Sequence, residues 1–377
     1  MKSIKLALIR QKYRPDGGAE RFLARAIEAL KDDVELTIFT RKWKQQDGVN
    51  IVECNPTKWS RVSREKRFAQ AVCSEIQKHN FDIIQSHERI PCCDIFRAGD
   101  GVHHEWLRQR KRTLNSLQRL FLKISPFHNY VKKVEKQLYN SPQLKAVICI
   151  SEMVKHDILR YFDFPEDKLH TIYVGIDTDT FSPELKQNRS KVRQELNIPE
   201  SAPVFIFVGS GFERKGVIQA IKAIPELPNN THLLIVGKDK KIKRYQNLCK
   251  QLGISKQVHF LGVQKDVGPY YGAADALVFP TRYEPFSNVV LEALASGLPV
   301  ITTQQCGGGE LIKNGINGYT IDSLDLQGLI QSMRLLSDKK HCEECSVSAR
   351  ESAIPHTIEN VSQQLVKLYK TILNPNS

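Results

Sequence analysis

The 377-residue sequence has no apolar run long enough to indicate a membrane span or a secretion signal. A transmembrane helix needs roughly 18 or more consecutive apolar residues, and no stretch approaches that length. The apolar run just before Arg10 is four residues long, which is too short for a signal peptide. We therefore expect a cytoplasmic protein that has no membrane-spanning helix.

Motifs for metal, redox and nucleic-acid chemistry are also scarce. The nine cysteines include one C-x-x-C pair, Cys342 and Cys345, and no second pair that would complete a zinc site. No D-x-D metal motif stands at a strand end in the expected cleft, and there is no zinc finger, aromatic RNA-binding motif or obvious helix-turn-helix. We therefore expect neither a bound metal nor a nucleic-acid partner. Several other cysteines lie in apolar or helical contexts, where we expect reduced thiols that behave as small hydrophobes: Cys54, Cys73, Cys149 and Cys249.

What the sequence does have is a net charge of +14, part of which is concentrated in one window. Residues His103 to Lys136 hold nine Lys/Arg against two acids, and this pattern favours an anionic membrane surface as partner. Within the window we predict a single helix from Trp106 to Ile124. Its apolar stripe could lie in a lipid interface or pack on the first domain, and both alternatives remain open at this point. The stripe consists of Leu107, Leu114, Leu117, Phe121 and Ile124.

The rest of the chain alternates short apolar runs with helical patterns, which predicts an α/β protein with parallel sheets. The length suits two domains, and we place them at residues 1–175 and 176–356, with the polar stretch GIDTDTFSPE as linker. The predicted strands are 4–9, 34–39, 82–85, 94–97, 146–150, 171–174, 204–208, 233–236, 258–261, 275–280, 298–303 and 319–321.

The stretch from Ala274 to Glu310 predicts a strand, a loop, a helix from Asn288 and a second strand. This places the loop at the carboxyl edge of a sheet and at a helix N-terminus, where free backbone N–H groups bind anions. Two carboxylates bracket the loop, Glu284 before the turn and Glu292 inside the helix. Carboxylates accept hydrogen bonds from hydroxyls, so the combination suits a ligand that carries both hydroxyls and phosphate, such as a nucleotide sugar.

Three other loops carry candidate site residues. Gly17 and Gly18, between the first strand and a helix predicted at 19–30, let the backbone approach a bound group closely. Arg214 and Lys215 begin a helix after a buried strand, where two cations would stabilise a departing diphosphate. On the acceptor side, Asp100 could orient a hydroxyl, and His87 or His103 are further candidates.

Four stretches resemble signatures of the retaining family 4 glycosyltransferases: GGAE, the Asp94–Asp100 segment, VGSGFERKG and EPFSNVVLEALASGLPV. The second and third are similar to segments of the lipopolysaccharide core glucosyltransferases within that family. The resemblance implies the GT-B fold, in which two Rossmann-like domains face each other across a cleft and the C-terminal helix, here 357–377, packs back on the first domain. It also implies donor binding through Gly17, Gly18, Arg214, Lys215, Glu284, Phe286, Ser287, Asn288, Val289 and Glu292.

Within that resemblance, Glu292 is expected to hold the donor ribose and Glu284 the donor hexose, while Ser287 stands where the family usually has Gly. Asp100 matches an active-site Asp and is preferred to His87. The expected function is retaining, metal-independent transfer of a hexose from UDP-glucose to the lipopolysaccharide inner core, on the inner membrane. A nucleotide-sugar 2-epimerase, a polysaccharide-forming transferase and a non-enzymatic binder of anionic surfaces are the alternatives.

Overall fold

The computed structural model describes residues 4–11, 34–43 and 49–374, and the chain divides into two compact units. Unit 1 comprises Met1–Gly175 with Ile358–Ser377, and unit 2 comprises Ile176–Thr357. The sequence-based division places its boundaries at 175/176 and 356/357, so the second differs by one residue. The Gly17–Gly18 loop and the helix predicted at 19–30 lie outside the described residues.

Unit 1 contains a parallel sheet of seven strands in the order β3-β2-β1-β4-β5-β6-β7. Its first six positions follow the order of dinucleotide-binding sheets, in which the direction of winding reverses between β1 and β4. The strands are β1 (Ile4–Ile9), β2 (Val34–Thr40), β3 (Asn50–Glu53), β4 (Ile83–Ser86), β5 (Ile95–Arg97), β6 (Ala146–Cys149) and β7 (Leu169–Thr171).

Five described helices connect these strands. The first begins at a capping box between Ser60 and Ser63 and turns Phe68, Val72 and Ile76 toward the sheet, four residues apart on one face. The last helix of the chain also belongs to unit 1, where Tyr369 donates a hydrogen bond of 2.9 Å from its hydroxyl to Oε1 of Gln85. The five helices that connect the strands are α1 (Arg61–Ile76), α2 (His103–Lys111), α3 (Ser116–Ile124), α4 (Pro126–Tyr139) and α5 (Glu152–Tyr161).

Unit 2 repeats the pattern with a parallel sheet of six strands in the order β10-β9-β8-β11-β12-β13, so its winding reverses between β8 and β11. The strands are β8 (Val204–Val208), β9 (His232–Val236), β10 (Val258–Gly262), β11 (Ala276–Val278), β12 (Val300–Thr303) and β13 (Gly318–Ile321). The remaining helices are α6 (Arg189–Glu195), α7 (Phe212–Lys215), α8 (Val217–Ala223), α9 (Ile242–Gln251), α10 (Gly268–Ala273), α11 (Asn288–Ala295), α12 (Leu326–Leu336), α13 (Lys339–Ala353) and, in unit 1, α14 (Ile358–Leu373). Short 3-10 turns lie at Glu166–Lys168, Pro183–Asn188, Ile224–Glu226, Gly307–Leu311 and Ile354–His356.

The single helix predicted from Trp106 to Ile124 is wrong. The structure has two helices, because α2 ends at Lys111 and Asn115 caps a new helix by accepting a hydrogen bond from the backbone N–H of Gln118. The break also separates the predicted stripe, since Leu107 is buried while Leu117, Phe121 and Ile124 of α3 are exposed. In the described part of the chain, no helix is long and apolar enough to cross a membrane.

The expectation that Cys73 is a reduced thiol is also wrong. Its sulfur is bonded to that of Cys92, and this disulfide ties α1 to the loop between β4 and β5. The prediction failed because the two cysteines are far apart in sequence and become neighbours only when α1 packs beside that loop. Cys54, Cys149 and Cys249 are buried free thiols, as expected.

Candidate active site

In unit 2 the loops that follow β8 and β11 meet at the point where the winding reverses, the usual ligand position in such sheets. Two glycines leave the room that is needed here, Gly216 for the approach of the two loops and Gly209 for the Lys215 side chain. A Cβ at Gly216 would lie 2.0 Å from the carbonyl oxygen of Pro280, and one at Gly209 would lie 2.7 Å from Nζ of Lys215. Arg282 donates its backbone N–H to the carbonyl of Arg214 at 2.9 Å, which joins the two loops directly.

Arg214, Lys215 and Glu284 form one charged cluster at this edge. Arg214 donates from Nη1 to Oε2 of Glu284 at 2.6 Å and to the carbonyl of Tyr283 at 3.0 Å. Nζ of Lys215 lies 4.0 Å from the same Glu284 oxygen and 5.0 Å from the centroid of the Phe279 ring. Two cations therefore share one carboxylate, which leaves a net positive charge for an anionic ligand.

Burial makes the Lys215 ammonium an unusually strong electrostatic partner. Its side chain is 15% exposed, and desolvation lowers its pKa, an effect that the Glu284 carboxylate opposes. A charge held where water is scarce acts on a neighbouring phosphate with less screening than a surface lysine would. The structure therefore combines a partly buried cation with a more exposed one, since the Arg214 side chain is 42% exposed.

The loop that begins at Glu284 leads into the N-terminus of α11. Glu284 is held through its backbone, because its N–H donates to the Gln305 carbonyl and its own carbonyl accepts from Gly307, both at 2.9 Å. Phe286 and Ser287 are buried, and Asn288 and Val289 are half-buried at the start of the helix. Ser287 has a φ of −118° and makes no side-chain capping bond. The helix α11 therefore begins shortly after Glu284 in the chain, and the free backbone N–H groups of its first turn can bind an anion.

Glu292, one turn further along α11, is buried instead of solvated. Its Oε2 accepts a hydrogen bond of 2.9 Å from the hydroxyl of Tyr271, a buried residue of α10. Burying a carboxylate is costly unless it has partners, which argues against an incidental surface role. Tyr271 was missed in the sequence because nothing in its local motif indicates that it meets a residue 21 positions away.

The acceptor-side candidates lie in unit 1, at the carboxyl ends of β4 and β5. Asp100 has a side chain that is 66% exposed, and one of its oxygens lies 3.6 Å from Nη1 of Arg89. Arg89 also donates to the buried carboxylate of Glu135 at 2.9 Å and to the carbonyl of Gly101 at 2.9 Å. Asp100 is therefore an accessible carboxylate on a rigid support, and Arg89 and Glu135 are the supporting residues that the sequence did not reveal.

The two histidine candidates have different surroundings. His87 is buried, its Nε2 lies 3.1 Å from Nε2 of Gln85, and burial lowers its pKa well below the ordinary value. His103 is half-buried, and its Nε2 lies 3.1 Å from Nδ1 of His128. Desolvation lowers its pKa to about 4, so it is neutral at pH 7. Of these acceptor-side candidates, Asp100 is therefore the accessible one and His87 is enclosed.

Across 4–11, 34–43 and 49–374, the His, Cys, Asp and Glu side chains form no group of three or more that could hold a metal ion. Cys342 and Cys345 are buried free thiols that donate to backbone carbonyls of Asp275 and Gly315.

Comparison with known proteins identifies the class of enzyme. A model of the glycosyl transferases group 1 matches residues 188–352, and a model of glycosyltransferase family 4 matches residues 16–180. The chain belongs to these glycosyltransferases. Their two models match the two units in turn, so each Rossmann-like sheet corresponds to one family domain.

Individual proteins similar to this chain are also glycosyltransferases. It is 26% identical over 318 residues to the lipopolysaccharide glucosyltransferase WaaG of Escherichia coli K12, covering 82% of this chain and 83% of that protein. It is 34% identical over 141 residues to the lipopolysaccharide core biosynthesis glycosyltransferase LpsE of Rhizobium meliloti, covering 37% of this chain and 41% of that protein.

Solved structures confirm the GT-B fold of this glycosyltransferase. A crystal structure of WaaG, described as involved in lipopolysaccharide biosynthesis, superposes with a TM-score of 0.82 at 23% identity, covering 97% of this chain and 99% of that one. The structure of Anabaena HepE in complex with UDP-glucose gives a TM-score of 0.77 at 18% identity, covering 98% of this chain and 100% of that one.

Proposed function

We propose that this glycosyltransferase moves glucose from UDP-glucose onto the inner core of lipopolysaccharide, with retention of configuration and without a bound metal ion. The observation that carries the proposal is the cluster of Arg214, Lys215 and Glu284 beside the N-terminus of α11. Two cations, one carboxylate and free helix N–H groups match a donor that has a diphosphate next to a sugar. Glu292, deeper in the same helix, is assigned to the ribose hydroxyls.

The proposed chemical step uses these groups. The bond between the anomeric carbon and the diphosphate breaks while the acceptor hydroxyl attacks the same face, and a donor phosphate oxygen receives the hydroxyl proton. Negative charge grows on the departing diphosphate, so Lys215 and Arg214 bind the transition state more strongly than the ground state. They supply the charge that a divalent ion supplies elsewhere. Asp100 is assigned to orienting the acceptor.

The choice of donor and acceptor is supported by the relatives. WaaG is named a lipopolysaccharide glucosyltransferase, LpsE a lipopolysaccharide core enzyme, and HepE was solved with UDP-glucose. The site residues of unit 2 are those that the family resemblance assigns to a nucleotide sugar. Donor identity within this family depends on loop side chains, so the direct test is a donor screen.

Peripheral attachment to an anionic membrane is part of the proposal, and α3 is the element that supports it. Four apolar side chains on one face of α3 are 54–62% exposed: Leu117, Leu120, Phe121 and Ile124. Arg119 and Lys123 on the same helix are exposed. Such a helix binds a lipid interface through its apolar face, and its cations meet anionic headgroups.

The acids of the basic window strengthen this argument. Glu105 accepts hydrogen bonds from Arg108 and Gln109, and Glu135 is bound by Arg89, so both are buried among partners. The surface of residues 103–136 therefore presents a more positive charge than the sequence count alone suggests.

Transfer is tested with purified lipopolysaccharide truncated to its inner core and a panel of UDP-glucose, UDP-galactose, GDP-mannose and ADP-glucose. We expect UDP-glucose to be used best and NMR of the product to show the anomeric configuration of the donor. Donor turnover to a 2-epimer without acceptor, or transfer with inversion, would overturn the proposal.

Membrane attachment is tested by flotation with vesicles that contain anionic lipids. The double variant Leu117→Ser/Phe121→Ser should lose binding, and wild-type binding should weaken as salt rises. Val347→Ser is the matched control, because Val347 in unit 2 is 64% exposed and outside the basic window. Equal flotation of wild type and the double variant would show that α3 is not the membrane contact.

A further inference from the structure

Unit 2 carries a strongly basic surface of its own, formed by residues 238–265 around helix α9 and the edge strand β10. This segment contains eight Lys/Arg and one acid, an excess that equals half of the net charge of +14. The proposed function uses none of these cations. All eight are exposed to solvent: Lys238, Lys240, Lys241, Lys243, Arg244, Lys250, Lys256 and Lys265. We call this segment the basic surface of unit 2.

Little of this positive charge is neutralised by the protein itself. In the part of the chain that the structure describes, Lys241 is the only one of the eight that forms an ion pair, at 3.9 Å from Oε2 of Glu213. The one acid of the segment, Asp239, accepts the backbone N–H groups of Phe212 at 2.9 Å and of Lys241 at 2.8 Å, one on each oxygen. Like charges on one surface repel one another, so this surface gains stability when it meets a negatively charged partner.

A groove of about 580 Å³ lies on this surface between α9 and β10. Tyr245 turns toward the core. The groove is lined from α9 by four polar side chains at a spacing of three, four and seven residues, which places them on one face of the helix. They are Lys243, Gln246, Asn247 and Lys250. Two ammonium groups and two amides therefore offer hydrogen-bond donors to a ligand in the groove.

The opposite wall of the groove is less polar. Ser255 contributes a hydroxyl, and Val258 and the half-buried Phe260 contribute apolar surface from β10. Among the described residues that line the groove there is no carboxylate. A phosphate that carries a short aliphatic group, such as the glycerol of a lipid headgroup, meets donors on one side of this groove and apolar surface on the other.

The residue types favour a membrane surface over a nucleic acid or an acidic protein. Seven of the eight cations are Lys, a hydrated point charge, whereas nucleic-acid recognition favours the planar, stacking Arg. Single-stranded nucleic acids also need several aromatic platforms, and Phe260 is the one aromatic residue of the groove lining. A protein interface needs an apolar centre, and the exposed large apolar side chains of this surface are Leu252 and Val263, 37% and 57% exposed.

We propose that the basic surface of unit 2 binds the phosphate headgroups of an anionic bilayer, as a membrane contact separate from α3. Lysines attract a negatively charged leaflet additively and need no fixed geometry. The groove admits a headgroup between α9 and β10, with Lys243 and Lys250 beside its phosphate. The surface has no apolar stripe, so its binding is electrostatic. The inference goes beyond the proposed function, which places the membrane contact in α3 of unit 1, and it does not depend on that contact.

Binding is measured by flotation of the whole protein with vesicles of phosphatidylglycerol and phosphatidylcholine at low salt. Removing three cations of the surface should lower the affinity about 100-fold, in the variant Lys243→Gln/Lys250→Gln/Lys256→Gln. The same three positions changed to Arg keep the charge and should bind like the wild type. The matched control removes three exposed lysines of unit 2 outside residues 238–265 and should lose far less affinity; it is Lys222→Gln/Lys313→Gln/Lys340→Gln.

Salt separates this contact from α3. At about 1 M salt the Debye length falls to about 3 Å, so the triple Gln variant and the wild type should float equally. At low salt, the binding that Leu117→Ser/Phe121→Ser retains should be abolished when the triple Gln variant is added to it. If α3 is not a membrane contact, the triple Gln variant alone should abolish binding, so the two proposals fail separately.

Thermal unfolding and UDP titration show whether each variant is folded. Equal vesicle affinity of the wild type and the triple Gln variant would overturn the inference, and aggregation of that variant would then assign the lysines to protection of the edge strand β10. An equal loss in the matched control would mean that total charge alone decides. Release from vesicles by inorganic phosphate beyond that by sodium chloride of equal ionic strength would indicate a site for soluble phosphate. Binding of a single-stranded oligonucleotide tighter than binding of vesicles would make nucleic acid the partner, and each of these results would also overturn the inference.

Discussion

The disulfide between Cys73 and Cys92 offers a test whose size follows from the structure. It joins α1 to the loop after β4, and its two cysteines are 19 residues apart. Closing a loop of this length lowers the entropy of the unfolded chain and stabilises the fold by about 3 kcal/mol. For a unit of this size each kcal/mol shifts the melting temperature by about 2–4 °C, so opening the disulfide should lower that of unit 1 by about 6–12 °C.

The assay compares wild type with Cys73→Ser/Cys92→Ser, each with and without a reductant, by calorimetry that resolves the two units. Reductant should lower the unit 1 transition of the wild type to that of the double variant and leave the variant unchanged. Thiol titration of the unfolded wild type should find seven free thiols without reductant and all nine after reduction. Nine thiols without reductant, or a reductant effect that persists in the double variant, would refute the reasoning.

The other predictions concern the active site and its neighbours. Glu292→Gln should raise KM for the donor with little change in kcat, because ribose hydroxyls do not change during the reaction; an unchanged KM would remove Glu292 as the ribose anchor. Lys215→Ala should lower kcat by roughly 100- to 1,000-fold, because its charge acts mainly on the departing diphosphate, and the exposed Lys339→Ala is the control. Activity should persist in EDTA, and loss of activity that magnesium or manganese restores would contradict metal independence. The pKa of Glu88 in the folded protein is about 7, above its ordinary 4.5. Its contribution to the free energy of unfolding is therefore fully present below pH 4.5 and declines by about 3 kcal/mol as the pH rises to 7. Denaturant unfolding across that range should show a smaller decline in Glu88→Gln.

The order of strands and helices could be predicted because buried parallel strands appear as short apolar runs, and β1 and β8 match their predicted bounds. The strand β3 was missed because an edge strand with the sequence NIVE has little apolar content and no buried residue. The strand predicted at 171–174 lies at Leu169–Thr171 instead, and Ile172 after it still donates its backbone N–H to the carbonyl of Cys149 in β6 at 2.9 Å. Boundaries of this kind are decided by pairing with neighbouring strands, which a local pattern does not contain.

The residues of the candidate site could also be predicted only where a local motif contains them, and not where they depend on contacts between distant parts of the chain. In unit 2 the important side chains lie on two loops whose motifs are contiguous, so Arg214, Lys215, Glu284 and Glu292 could be named from sequence. Their mutual contacts could not, because the 2.6 Å pair between Arg214 and Glu284 joins residues 70 positions apart.

A pocket in unit 1 represents the opposite extreme, because no two of the segments that line it are continuous in sequence. Its lining comes mainly from the end of β1, helix α1, the loop after β4 and helix α4. Gln11 meets Glu65 and Glu88 only after the chain has placed β1 beside β4 and packed α1 against them, with separations of 54 and 77 residues. Each of these side chains, taken alone, looks like an ordinary polar residue at a strand or helix end. What distinguishes them is that the fold brings acids and arginines together in one pocket. Side chains on contiguous loops leave a motif that can be recognised in a sequence, whereas a pocket assembled from separate segments leaves none.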